Sequence, residues 1–330
     1  MKSLKISLVA AGVLISNISS AENLIELYEI AVQQDPQYQA AAAIQSSVKT
    51  TEDIARSQLL PLIGVSALAE RIDTDVKDSG SLADDDTYNR HDVVLSLSQP
   101  IYRRDRWLAL DQARILSAKA DVDFLAAEYD LMARLTKAYF DVLSAQDTLT
   151  FVIADKKAIA RQLEQAKQRF EVGLIAITSV HEAQAAFDGA TANQIKAENN
   201  LDNANEALSE IVGNRNYQLD TVVEELELAR PSPEDLSVWT ETALKQNPFV
   251  IGARNSSEIA QKEIEVQRSG HYPTLDLVGS YGLNRTESNN GSDVDVGSVG
   301  LQLALPLYSG GGVVAATKQA QYDFEAAQLD

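Results

Sequence analysis

Histidine is the side chain that most often binds metals or transfers protons near neutral pH, and this chain contains three of them. His91, His181 and His271 are far apart in the sequence and lack the close spacing of a metal site. No Ser–His–Asp set or isolated carboxylate pair stands out among the 48 acidic residues, which solvated helix faces explain. The sequence therefore predicts no metal site, no catalytic residues and no enzyme.

A glycine run after an extended segment, at residues 310–312, resembles the start of a phosphate-binding loop. A phosphate loop would continue with Lys and Ser or Thr, and these residues do not follow. The run is more typical of a flexible joint, so we expect no nucleotide or other cofactor.

Composition excludes further classes of function. The chain has no cysteine, which rules out disulfides and a lipid-carrying cysteine. Its formal net charge of −20 disfavours nucleic acid as a partner, because the phosphate backbone requires Lys and Arg. Residues 1–21 combine two lysines, an apolar run and small residues, which predicts a signal peptide cleaved between Ala21 and Glu22. The exported chain would then be either water-soluble or a β-barrel.

The chain after the predicted signal peptide contains an internal repeat. AVQQDP at 31–36 matches ALKQNP at 243–248, and later proline-containing segments match in the same order: SQLLP at 57–61 with SGHYP at 269–273, and QPIY at 99–102 with LPLY at 305–308. This indicates an internal duplication. The second copy reaches residue 330 within a helical pattern, so we expect a C-terminally truncated or partial chain that forms no working tunnel by itself.

The repeat predicts the order of elements. The first copy, residues 22–230, would hold a half helix (24–60), a β-hairpin (61–101), a long helix (102–171), a returning half helix (177–213) and an equatorial segment (214–230). The incomplete second copy, 231–330, would hold a half helix (236–269), a hairpin (273–307) and the start of a long helix. The hairpin strands alternate one apolar face with one small or polar face, as in tilted membrane strands. A soluble hairpin packed on a core would show the same alternation.

The long helices carry apolar residues at alternating spacings of three and four, which predicts close antiparallel packing. This predicted seam is interrupted at residues 168–180, QRFEVGLIAITSV. Gly173 would permit the left-handed turn that ends a helix, and Thr178 or Ser179 would cap the next one. The seam residues are Leu125, Tyr129, Met132, Leu135, Tyr139, Val142, Leu149, Ile153, Leu163 and Phe170, then Ile177, Val180, Phe187, Ile195, Leu201, Leu208 and Ile211.

Seven segments in order resemble the TolC family of outer-membrane efflux channels. They extend over essentially the whole chain after residue 21, so the resemblance is specific. The segments are ENL at 22–24, LLP at 59–61, AYFDVL at 138–143, QRFEVGLIAIT at 168–178, NNLDNA at 199–204, HYPTLDL at 271–277 and PLYSGG at 306–311.

The resemblance implies a long α-helical barrel, or tunnel, joined to a membrane β-barrel of twelve strands that a homotrimer shares. It implies a passive exit duct for small molecules or secreted proteins, located in the outer membrane and its lipid and extending into the periplasm. The expected partners are a periplasmic adaptor protein and an inner-membrane efflux pump or ABC secretion transporter.

The resemblance also implies roles for particular residues. The helix–turn–helix tip would meet the adaptor, and a network at the tip would close the entrance through Gln162, Thr178 and Ser179. The close family pattern has Asp where this chain has Ser179, and a neutral hydroxyl cannot form the charged bond of that Asp. Closure is then either weaker or compensated elsewhere. Leu174 and Ile177 either seal the end of the seam or face a partner's helical tip. The residues expected at the contact are Arg169, Glu171, Gly173, Leu174, Ile177, Thr178, Ser179 and Val180.

Prolines and aromatic residues mark the expected joints between strands and helices. Proline suits such a joint because it lacks an N–H and resists the interior of either element. Aromatic residues beside the joints fit a girdle at the membrane surface, although packing at a crowded joint would also explain each one. The prolines are Pro61, Pro100, Pro273 and Pro306, and the aromatic residues are Tyr102, Trp107, Tyr272 and Tyr308.

An alternative remains open from the residues alone. An exported coiled-coil binding or adaptor protein, in the periplasm or at the cell surface, would have the same helices, with the hairpins as a soluble β-domain. An exported hydrolase would need a cluster of catalytic groups that the sequence does not offer.

Overall fold

The computed structural model describes residues 22–74, 86–213, 217–222, 231–287 and 293–329. The predicted signal peptide 1–21 with Ala21, most of the equatorial segment 214–230, and parts of both polar hairpin loops lie outside the described residues. No helix within the described ranges is long and apolar enough to cross a membrane.

Each predicted half helix is divided in two, so the prediction of a single helix at 24–60 and at 236–269 is wrong. The breaks fall at Asp35 and Asn247, whose backbones are extended with ψ of 116° and 122°. The reason is the following proline, whose ring disfavours helical geometry in the residue before it. The helices are α1 (Leu24–Gln34), α2 (Pro36–Ser57), α3 (Arg104–Glu171), α4 (Ile177–Val212), α5 (Leu236–Gln246), α6 (Pro248–Arg268) and α7 (Gly312–Leu329).

The four strands form one antiparallel sheet in the order β1-β2-β3-β4. Opposite residues share a face, and one face is apolar: Val65 pairs with Leu95, and Leu95 pairs with Tyr281. The other face is more polar but also carries Leu62, Val94 and Val278, and the Ser280 and Ser298 hydroxyls are 2.8 Å apart there. Within this chain β1 and β4 are the edges. The strands are β1 (Leu62–Thr74), β2 (Asp86–Tyr102), β3 (Thr274–Thr286) and β4 (Val294–Ala304).

The chain packs into two units. The first lies within Met1–Ala40 and Glu128–Arg230, and the second lies within Ala41–Ala127 and Pro231–Asp330. The main core belongs to the first unit, where α1, α3 and α4 meet. Its largest fully buried side chains are Leu27, Leu131, Leu135, Val142, Leu208 and Val212.

The predicted seam is only partly buried. Leu135, Tyr139 and Val142 are buried as predicted, but Tyr129 and Met132 are exposed within the chain, and so are Leu125, Ile153, Phe170, Ile177 and Ile195. Helix α3 carries apolar residues on two faces, and α1 and α4 cover the face that contains Leu131. The prediction relied on sequence spacing alone, and so it assigned residues from both faces of α3 to a single seam.

Candidate functional site

The α3–α4 hairpin turns through residues 172–176, between the end of α3 at Glu171 and the start of α4 at Ile177. Gly173 has φ of +75°, which confirms the predicted left-handed turn. Its N–H donates to the Phe170 carbonyl at 2.9 Å, and the Leu174 N–H donates to the Arg169 carbonyl at 2.9 Å. These two bonds form a Schellman motif, which satisfies carbonyls that the helix end leaves without partners.

Apolar side chains project from this turn into solvent. Val172 is 70% exposed and Leu174 is 71% exposed, and Ile177 is exposed as well. Leu174 and Ile177 therefore do not seal the seam within this chain. Among the residues predicted to contact a partner, Ser179 and Val180 are half-buried and the others are exposed, namely Arg169, Glu171, Gly173, Leu174, Ile177 and Thr178.

The predicted cap of α4 is wrong. The N-cap residue is Ala176, which offers no side-chain hydrogen bond, and Thr178 and Ser179 already lie in the first helical turn. The Ser179 N–H donates to the Ala176 carbonyl at 3.1 Å, so backbone geometry closes the turn instead. The sequence offered two hydroxyl residues, but the helix begins one residue before the first of them.

The predicted entrance-closing residues are not joined to one another. Gln162 lies in α3, nine residues before its end, and so about 14 Å along the helix from the turn. Thr178 and Ser179 lie at the start of α4. Within the described part of the chain, no hydrogen bond links Gln162 to either hydroxyl, and any joint role of the three requires another hairpin.

The joint between β2 and α3 contains a charged pair that the sequence reasoning missed. Arg103 donates to both carboxylate oxygens of Asp276 on β3, with its Nε at 3.0 Å and its Nη2 at 2.7 Å. A two-bond arginine–carboxylate pair of this kind fixes orientation as well as distance. The only sequence signal was an acidic residue between two apolar strand residues, Leu275 and Leu277, which places Asp276 on the polar face.

Three of the four predicted joint prolines lie just outside strands. Pro61 and Pro273 directly precede β1 and β3, and Pro306 follows β4. The prediction that Pro100 lies at a strand end is wrong. Pro100 lies inside β2, where the register with β3 shifts between Pro100 and Tyr102. A bulge tolerates proline because no ladder hydrogen bond is required from its nitrogen.

The predicted interface aromatics Tyr102, Trp107, Tyr272 and Tyr308 are all exposed. The Arg104 guanidinium carbon lies 5.2 Å from the centre of the Tyr272 ring, which is a cation–π contact. This contact holds one cation beside one aromatic ring just before the start of β3.

The same fold and sequence pattern occur in known proteins. The family model for outer membrane efflux proteins matches residues 27–214 and 239–330. The chain belongs to this family. Outer membrane protein TolC of Vibrio cholerae is 39% identical over 94% of this chain and 70% of its own length. TolC of Escherichia coli K12 is 36% identical over 94% of this chain and 64% of its own length.

Two further similarities extend the family picture. The alkaline protease secretion protein AprF of Pseudomonas aeruginosa is 30% identical over 94% of this chain and 66% of its own length. The crystal structure of the Campylobacter jejuni CmeC outer membrane channel superposes with a TM-score of 0.81, covering 94% of this chain and 66% of that one. At 18% identity, this structural likeness shows a common fold. The chain spans about two thirds of the length of these relatives.

This efflux-family chain also has a buried ion pair at the α1–α2 junction that its sequence did not reveal. The Asp35 side chain is 2% exposed, and its Oδ2 lies 2.8 Å from Nη2 of Arg134 on α3. Burial raises the pKa of Asp35, but hydrogen bonds from Arg134 and from the Tyr38 N–H outweigh it, so the net pKa lies below the usual value. Arg134 also pairs with Asp130 at 2.7 Å, and its own pKa is raised.

A tyrosine and a glutamate extend this cluster. The Tyr28 hydroxyl on α1 donates to Oε1 of Glu128 at 3.1 Å, and burial together with this carboxylate raises the pKa of Tyr28. The described residues contain no group of three or more His, Cys, Asp or Glu that could hold a metal ion. The arrangement suits a structural clamp between α1, α2 and α3.

Proposed function

We propose that this chain is a subunit of an outer-membrane channel that serves as a passive exit duct, for efflux of small molecules or for type I protein secretion. Membership of the outer membrane efflux protein family supports the location and the duct, and the similarity to AprF supports secretion as one use. The duct extends from the outer membrane into the periplasm. Its pump and its cargo are set by partners outside this chain.

The observation that carries the proposal is the sheet. Its apolar face is exposed, with Val65 on β1 and Val299, Leu301 and Leu303 on β4 each mostly in solvent. The opposite face is more polar, with serines, glycines, Asp276 and Gln302 on it, but it also carries Leu62, Leu68, Val94, Val278 and Val296. An exposed apolar face opposite a more polar one is the pattern of strands that separate lipid from a water-filled lumen.

A homotrimer with a shared barrel of twelve strands accounts for the two edges. Each four-stranded sheet has unpaired backbone groups along β1 and β4. Pairing β4 of one copy with β1 of the next would close three sheets into a barrel and remove every edge. The predicted repeat organisation, 22–230 and 231–330, would then place the two hairpins side by side in each subunit.

The helical tip is the proposed contact with a periplasmic adaptor protein, and through it with an inner-membrane efflux pump or ABC transporter. The exposed apolar group Val172, Leu174 and Ile177 supports this, because side chains of that kind favour burial against another protein. Arg169 and Glu171 would form the polar rim. Gln162, Thr178 and Ser179 would close the entrance together with neighbouring hairpins.

The test uses the full-length protein, purified from the membranes of its own cells. We expect ion conductance in planar bilayers from a trimer, and we expect extraction from the outer membrane to require detergent. A coiled-coil adaptor with a soluble β-domain would instead be released by osmotic shock and would not conduct. Release without detergent, or reconstituted protein that carries no current, would overturn the proposal.

A further inference from the structure

A small basic pocket lies in the second unit, between the end of α6 and the first turns of α7. Its volume is ≈ 300 Å³, and no acidic residue lines it. Three of its six lining residues have basic side chains, namely Arg268, His271 and Lys318. The lining residues are Arg268, His271, Val314, Thr317, Lys318 and Gln321.

The basic groups of this pocket lack carboxylate partners. Among the described residues, Arg268, His271 and Lys318 form no ion pair, and the Lys318 ammonium lies 5.8 Å from the centre of the Tyr322 ring. The chain has 48 acidic and 28 basic residues, so a pocket with three basic and no acidic lining residues differs from the charge of the chain as a whole. Clustered groups of like charge repel each other, and an anion between them would relieve the repulsion.

The donors in the pocket suit a phosphate. Arg268 offers a planar fork that can bind two oxygens, Lys318 offers an ammonium group, and the Gln321 amide can donate as well. The Thr317 hydroxyl already donates to the Val313 carbonyl at 2.7 Å, so only its oxygen is available, as an acceptor. An acceptor beside a phosphate site suits a ligand that also carries a hydroxyl group.

The position of the pocket indicates where the phosphate comes from. His271 lies three residues before β3, and its neighbour Tyr272 stacks with Arg104. If the proposed function holds, this joint lies at the periplasmic surface of the outer membrane, among lipid headgroups. Basic pockets at such a surface bind anionic headgroups.

We propose that this pocket binds the headgroup of an anionic phospholipid with a free hydroxyl, such as phosphatidylglycerol, in the periplasmic leaflet. Arg268 and Lys318 hold the phosphate, and the Thr317 oxygen accepts from the headgroup hydroxyl. The proposal deepens the proposed function and rests on it for the lipid origin of the phosphate.

The test measures binding of short-chain phosphatidylglycerol and phosphatidylcholine to the intact protein in detergent, by native mass spectrometry. We expect phosphatidylglycerol to bind about tenfold more tightly. The double variant R268Q/K318Q should lose this preference, and the charge-retaining variant R268K/K318R should keep most of it. The control K137Q/K245Q removes the same net charge elsewhere and should bind like the wild type.

Three results would overturn the proposal: equal binding of the two lipids by the wild type, a preference that survives in R268Q/K318Q, or competition by inorganic phosphate at the concentration of the lipid. The last would show a site for free phosphate. Conductance of R268Q/K318Q in phosphatidylcholine bilayers separates this proposal from the channel function. Loss of lipid preference with normal conductance supports both proposals, and a wild type that conducts without any lipid preference refutes only the lipid site.

Discussion

The junctions at Asp35–Pro36 and Asn247–Pro248 follow the same backbone path in different surroundings. In each, the residue before proline ends one helix with an N–H bond to the carbonyl four residues earlier, at 2.8 and 2.9 Å. Its side-chain oxygen then accepts from the first turn of the next helix, from Tyr38 N–H in one case and Phe249 N–H in the other. The local sequence therefore determines the turn twice.

The surroundings differ in burial and charge. Helix α1 buries Leu27 and Ala31, whereas α5 buries none of its residues. The carboxylate at Asp35 is balanced by Arg134, while the neutral amide at Asn247 does not require a cation. The difference teaches that a repeated motif preserves backbone geometry, and that packing decides which copy carries a charge.

The largest effect on the free energy of unfolding should come from a substitution in the buried helix α1. Leu27→Ala should lower the free energy of unfolding by about 3 kcal/mol, because it leaves a cavity among fully buried leucines. Leu244→Ala on the exposed α5 should cost less than about 1 kcal/mol. Chemical denaturation in detergent, followed by circular dichroism, measures both. Equal losses would show that α5 is also covered in the working protein.

Exchanging the junction residues should give a smaller and asymmetric effect. Asp35→Asn keeps the cap but leaves Arg134 with only Asp130, and should cost about 2 kcal/mol. Asn247→Asp should change stability by less than about 0.5 kcal/mol, since either residue caps a helix equally well. The same denaturation experiment applies. A loss from Asn247→Asp that equals the loss from Asp35→Asn would remove the distinction between the two junctions.

The smallest effect should be the pH dependence. The folded-state pKa of Asp35 is lowered, so its stabilisation is present above the unfolded pKa of about 4 and is lost as pH falls through the folded value. The stability gap between wild type and Asp35→Asn should therefore narrow below about pH 4. Melting temperatures of both proteins between pH 7 and pH 2 would measure it. A gap that stays constant over this range would mean that Asp35 is not ionised at neutral pH.

Local features were the ones that could be predicted from the sequence. Gly173 acts on the backbone beside it, so its type alone indicated a left-handed turn. The break before Pro36 is equally local, but the prediction of one helix at 24–60 overlooked it. The cap at Ala176 was missed because no side chain makes it. The Asp35–Arg134 pair joins residues 99 positions apart, and it depends on how α1 lies along α3, which no local pattern encodes.

The unpaired edge of β4 affects how the subunit behaves before it assembles with other copies. All eleven residues of this strand are exposed, and no strand among the described residues pairs with its outer backbone groups. Such an edge is a template for any extended segment, including another copy in the wrong register. A lone folded subunit in water is therefore an aggregation hazard, and rapid escape from that state is a requirement on its biogenesis.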